Sequence, residues 1–172
     1  HVDMKWCPGV DFSAGSLGMG LSFGMGCAIA ARLDGSERRA FVMLGDGEIQ
    51  EGAIWEAAMA ATHHELGNLK VILDRNRIQN DDFCEEQMRM FDIPAKWKAF
   101  GWNVKEIDGH NMQEIVDGIE FLDTSNDGPS ILIAHTVKGK GVSFMEDNPS
   151  FHGAAPNDEQ YALAMQELGV VE

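Results

Sequence analysis

Asp46 stands between two glycines at the end of a short apolar run, residues 41–44, and Asn76 closely follows a second such run, residues 71–73. A carboxylate and an amide oxygen are hard donors, and together they suit a cation such as magnesium. Such an ion takes one or two carboxylates and completes its octahedron with carbonyl, water and phosphate oxygens. The same residues could do no more than stabilise a turn and a strand end, and an isolated Gly-Asp-Gly does not separate these readings. The segment that joins them favours the metal.

That segment shows a helical pattern over residues 50–66, with Ile54, Ala58, Ala61 and Thr62 on one face and a stop at Gly67-Asn68. Strand, turn, helix and strand make one βαβ unit, whose parallel strands bring Asp46 and Asn76 to the same carboxyl edge. Ligands of open α/β sheets bind there. Gly45 and Gly47 flank the carboxylate and are expected to tolerate unusual backbone angles, with Gly47 letting a ligand approach the main chain. Upstream, a glycine-rich turn at 13–18 enters a helix predicted over 20–32, a weak signal for an anion or a ring edge. Downstream come a polar loop at 79–83 and a helical stretch over 86–100, broken or restarted at Pro94. A strand over 102–107, a helix capped by Asn111 and running to Leu122, a strand over 130–135 and a closing helix over 161–168 follow. The alternation predicts an α/β fold, a mostly parallel sheet with helices on both faces.

The chain has 172 residues, enough for one domain with a single core. Its net charge of −15 argues against nucleic acid or an anionic membrane as a partner. It also means that a bound anion would need a cation and oriented amides beside it. Cys7, Cys27 and Cys84 form no CxxC pair and indicate reduced thiols of a cytoplasmic protein. Residues 12–31 carry no charge, but their glycines and serines fit a buried, close-packed helix better than a membrane span. That stretch and the apolar helix over 52–61 look too buried for a free surface, so an obligate oligomer is expected. The chain opens on His1 with no initiator methionine, and truncation at its N-terminus is expected.

The strings GDGEIQEGAIWEA and LGNLKVILDRNRIQ resemble transketolase, in particular its shorter bacterial form. The resemblance extends from HVDMKWCPGVDFSAGSLGMG to AHTVKGKGVSFMEDNPSFHGAAPNDEQY, and it matches only the diphosphate-binding domain of that family. It implies thiamine diphosphate as cofactor, with Mg2+ or Ca2+ held by Asp46, Asn76 and the backbone carbonyl of Ile78. Two diphosphate oxygens and a water would complete the ligands. It implies that Gly15, Ser16 and Leu17 lie against the cofactor through their backbone, and that Gly45 and Gly47 lie beside it. Met19 replaces the family's usual glutamine.

By the same resemblance, His152 lies beside cofactor and substrate, and Lys138 supplies positive charge near the substrate. His1 matches the histidine of a Gly-His-Pro motif that bonds substrate oxygens, with Val2 in place of the proline. Glu51 lies near a dimer interface, close to an activating glutamate that belongs to a separate pyrimidine-binding domain. On their own terms these residues have plainer readings. His152 and Lys138 fit solvated loops, and Glu51 fits a first-turn carboxylate favoured by the helix dipole. His63 and His64 close a helix and read as structural, while His110 and His135 show no partner in the sequence.

The implied activity is transfer of a two-carbon ketol unit from a ketose phosphate to an aldose phosphate. The implied assembly is a homodimer of this chain within a heterotetramer that includes a pyrimidine-binding, C-terminal transketolase subunit. A deoxyxylulose-phosphate synthase, the α subunit of a 2-oxoacid dehydrogenase and a non-catalytic cofactor-binding remnant remain as alternatives.

Overall fold

Three largely apolar runs and one mixed segment form the four strands of a computed structural model that describes residues 1–170. They are β1 (Ala40–Gly45), β2 (Leu69–Arg75), β3 (Asn103–Asp108) and β4 (Ser130–His135). Every pairing is parallel and the spatial order is β1-β2-β4-β3. Parallel neighbours need crossovers, and helices supply them. Helix α1 (Met19–Leu33) precedes the sheet, and α2 (Gly52–His63) links β1 to β2. A single turn, α3 (Cys84–Gln87), and α4 (Ile93–Ala99) link β2 to β3. Helix α5 (Met112–Thr124) links β3 to β4, and α6 (Asp158–Glu167) closes the chain.

The strands alternate their side chains between two cores. On one face Leu44, Leu69, Val71, Leu73, Ile131 and Ile133 pack with α1, α2 and the Trp97 of α4. On the other, Ile107 and Leu132 pack with Leu122 of α5. The expected α/β sandwich is what the chain adopts. Because α5 covers only β3 and β4, Phe41 and Met43 of β1 stand exposed on that second face.

Two local readings change and a third is narrowed. The helix expected over 50–66 spans Gly52–His63, because Glu51 is extended (φ −68°, ψ 132°) and separates it from a 3-10 turn at Glu48–Gln50. Pro94 restarts a helix, one of the two outcomes expected there, and does not break one. It lies in the first turn of α4, where its missing N–H costs nothing, and Asp92 caps that helix by accepting from Ala95 N at 2.8 Å. The uncharged stretch at 12–31 is not buried throughout. Helix α1 buries Leu21, Gly24, Ala28 and Ala31, while Leu17, Met19 and Phe23 are exposed. Gly24 is the contact point with the sheet: a Cβ there would fall 2.3 Å from Val42 Cγ2. Among the described residues no helix is long and apolar enough to cross a membrane.

Candidate functional site

Register builds the site first. Gly45 at the end of β1 pairs with Asp74 of β2, and Arg75 of β2 pairs with His135 of β4. The turns that follow these strands therefore share one carboxyl edge. Asp46 lies there, 1% exposed. Its Oδ2 accepts from the main-chain N–H of Arg77 at 2.5 Å and from Arg75 Nη1 at 3.0 Å. Its Oδ1 accepts from the Cys84 thiol at 3.3 Å. Burial, followed by the neighbouring Asp46 charge, pushes the Cys84 thiol up to about 12, so it stays a neutral donor. Arg75 also gives its second nitrogen to Glu85 Oε1 at 3.0 Å.

Asn76 is oriented by its neighbours. Its Nδ2 donates to Asp74 Oδ2 at 2.8 Å, and Asp74 Oδ1 is held in turn by the Thr136 hydroxyl. The amide oxygen is therefore turned towards the Ile78 main-chain N–H, at 3.0 Å. Ile78 forms an isolated antiparallel bridge with Phe83, in which its two neighbours make the ladder bonds: Gln79 N to Asp82 O, and Cys84 N to Arg77 O. Its own N–H and C=O thus point away from Phe83, the N–H to Asn76 Oδ1. Among the described residues that carbonyl accepts no hydrogen bond.

This donor set fits a hard divalent cation. It offers one carboxylate, one amide oxygen with a spare lone pair, and one free carbonyl. Among the described residues no three His, Cys, Asp or Glu side chains converge on a metal position, so other oxygens must complete the ligands. Against Gly47, Gln79 Oε1 is buried with no hydrogen-bond partner, an acceptor suited to a metal-bound water. The Arg75 guanidinium already serves Asp46 as a cation, and an incoming ion has to share the carboxylate with it.

The flanking glycines do not take the unusual backbone angles expected of them. Gly47 has ordinary helical angles (φ −66°, ψ −34°), and Gly45 does not have a positive φ either. What Gly47 needs is space, since a Cβ there would lie 2.7 Å from Gln79 Cβ. The left-handed glycine is Gly18 (φ 82°), the N-cap of α1. Its N–H donates to Glu48 Oε1 at 2.9 Å, and Glu48 Oε2 accepts from Gly45 N at 3.0 Å. Gly15, Ser16 and Leu17 lie exposed in the turn before it. The His1 ring rests on Gly15, 2.9 Å from where a Cβ would stand. Glu51 packs its Cβ against Gly18 in the same way.

The other candidates make no hydrogen bond to this cluster among the described residues. Lys138 is the third residue of the loop after β4, and its carbonyl accepts from Asp147 N at 3.1 Å. His152 follows a 3-10 turn at Pro149–Phe151, and its exposed ring makes no hydrogen bond among the described residues. His110 does have a partner, accepting the Val137 N–H on Nε2 at 2.8 Å, and His135 Nε2 meets Glu106 Oε2 at 2.9 Å. His63 is the last residue of α2 and stacks edge-on with His64, as a structural reading expects. A shallow depression lined by Ile29, Arg32, Leu33, His64 and Leu66 lies at the amino end of the strands and holds none of these residues except His64.

Sequence reasoning passed over Glu48, Asp74, Arg75, Gln79 and Cys84. Asp74 and Arg75 directly precede Asn76 and Glu48 directly follows Gly47, so adjacency to the motif was a usable signal. Cys84 offered none, because its contact with Asp46 spans 38 residues.

The family described as transketolase, thiamine diphosphate binding domain, matches residues 1–172. An apulose-4-phosphate transketolase subunit from Phocaeicola vulgatus is 44% identical over 94% of this chain and 57% of its own length. A 6-deoxy-6-sulfo-D-fructose transketolase subunit from a Clostridium species is 39% identical over 98% of this chain and 61% of its own. The chain thus spans less than two thirds of these relatives. A Pichia stipitis transketolase in complex with sedoheptulose 7-phosphate superposes with a TM-score of 0.89 at 28% identity, over 98% of this chain and 26% of that one. The Campylobacter jejuni transketolase gives 0.87 at 29% identity, over 94% and 26%.

Proposed function

The chain belongs to the transketolase thiamine-diphosphate-binding domain family, and from that premise we propose that it is the metal- and diphosphate-holding part of a transketolase-like transferase. Thiamine diphosphate, when bound, supplies the carbon centre that takes up a two-carbon ketol unit from a ketose phosphate and passes it to an aldose phosphate. The observation that carries this reading is the cluster of a buried carboxylate, an oriented amide oxygen and a free carbonyl at one strand edge. Asp46, Asn76 and the Ile78 carbonyl hold Mg2+ or Ca2+, and the ion screens the diphosphate from a chain of net charge −15. Gly15, Ser16, Leu17, Gly45 and Gly47 line the cofactor through their main chain.

His152 and His1 bond substrate oxygens that gain charge. The free, exposed ring of His152 and the seat of His1 on Gly15 support those roles. Lys138 adds positive charge at the same edge. Glu51, at the exposed start of α2 and backed by Gly18, acts across an interface with a pyrimidine-binding partner chain. The relatives named as transketolase subunits support a partner chain, and the assembly proposed for it is a heterotetramer containing two copies of this chain. The free thiols of Cys7, Cys27 and Cys84 fit a cytoplasmic setting.

The test is reconstitution of this chain with a pyrimidine-binding partner, assayed with Mg2+ and thiamine diphosphate against a panel of ketose phosphates. Ketol transfer that needs both chains is expected. Cofactor binding without transfer to any acceptor would favour a non-catalytic role.

A further inference from the structure

One side chain joins the two glycine turns of the site. Glu48 accepts from Gly18 N at 2.9 Å through Oε1 and from Gly45 N at 3.0 Å through Oε2. These main-chain groups come from segments far apart in sequence: one leads into α1, the other ends β1. Gly18 directly follows the Gly15–Leu17 turn, and Gly45 directly precedes Asp46. A bidentate carboxylate holding one N–H from each sets the spacing between the two turns, and charge-assisted bonds of this kind are the stronger class. Gly18 has a left-handed backbone, and Glu51 packs on it with a clearance that leaves no room for a side chain. The position of Gly18 therefore also fixes where Glu51 begins α2.

We propose that Glu48 is a positioning residue that sets the width of the cofactor cleft by tying the Gly15–Leu17 turn to the strand end that carries Asp46. The proposal rests on the assignment of these turns to thiamine diphosphate. Glu48 also answers the positive end of α1, so a diphosphate does not bind at Gly18 N and is directed to the ion beside Asp46. Both carboxylate oxygens are needed. Glutamine at this position has one acceptor oxygen and would turn its amide N–H towards the second donor.

The test compares wild type, Glu48→Ala and Glu48→Gln, each assembled with the pyrimidine-binding partner. Thiamine diphosphate is titrated at saturating Mg2+ with a fluorescence readout, alongside kcat at saturating cofactor. Glu48→Ala is expected to bind the cofactor about tenfold more weakly or worse, with kcat changed less than about twofold. Glu48→Gln should fall between it and wild type. A merely structural role would lower the yield of folded protein or kcat and leave the affinity of the folded fraction unchanged. If Glu48→Ala does not fold, the glutamine variant decides alone. Wild-type affinity in a folded variant overturns the proposal. Wild-type protein that binds no cofactor overturns instead the reading on which it rests, and the proposal with it.

Discussion

Asp46 is held by a positive charge that competes with the ion it is proposed to bind. The Arg75 guanidinium is nearly buried, bonded to Asp46 and Glu85 at 3.0 Å each. Removing one member of a buried pair leaves the other uncompensated, at a cost of about 3–5 kcal/mol. Arg75→Met is therefore expected to lower the thermal midpoint of metal-free protein and to tighten Mg2+ binding, since the ion no longer has to share the carboxylate. Thermal melts with and without Mg2+ check this, and an unchanged metal affinity would mean that Arg75 does not compete. At the substrate side, His152→Ala should lower turnover by about 10² to 10⁴ if the ring exchanges a proton with substrate. Equal losses in turnover and in cofactor affinity would make His152 a diphosphate ligand instead. Asp46 and Asn76 were legible because both sit next to strand ends of one βαβ unit, a pattern local enough to see. Cys84 was not, since it acts through a contact made only when distant segments meet, and for Arg75 and Glu48 adjacency to the motif gave the place but not the partners at Asp46 and Gly18.

The elements show the same division. Strands β1, β2 and β4 were readable as short apolar runs, because strands that face a core carry mostly apolar residues, whereas β3 holds Lys105 and Glu106 and was read as a strand without such a run. Boundaries failed where a single residue changed the backbone, as at Glu51, where an extended conformation ends the turn before α2 begins. The docking of α6 was not legible at all. It depends on Glu167, whose carboxylate accepts from the Ser143 hydroxyl and from Ser143 N, both at 2.6 Å. These two bonds, hydroxyl first, hold the Glu167 carboxyl below its ordinary 4.5. A depressed folded value means that the stabilisation is complete above 4.5 and is lost as pH falls through the folded value. Hydrogen-exchange protection of the Ser143 amide, corrected for intrinsic rate, is expected to drop as pH is lowered past the carboxylate range. Glu167→Gln should remove most of that dependence. Protection that stays constant with pH in the wild-type chain would show that α6 is held by its apolar contacts.

At the scale of the whole molecule, the chain leaves apolar side chains uncovered that a free surface rarely carries together. Trp6 is 85% exposed, Met43 70% and Leu17 60%, and the stacked Phe12 and Phe23 rings lie beside the site turn. The sequence foretold apolar surface in α1, but as buried helix. Composition states how much must be covered and not by which chain. Such faces call for a partner, and an obligate interface of this kind buries more than about 2,000 Å². Light scattering of the isolated chain is expected to show self-association or aggregation, and a well-behaved monomer with ketol-transfer activity would contradict the split assembly. The central claim is the metal and diphosphate site, and calorimetry tests it most directly. Thiamine diphosphate is titrated into the chain assembled with its partner, with and without Mg2+, for wild type and Asp46→Ala. The account predicts Mg2+-dependent binding in wild type and a loss of more than about tenfold in the variant, which lacks the only carboxylate of the set. An unchanged dissociation constant in Asp46→Ala would contradict it.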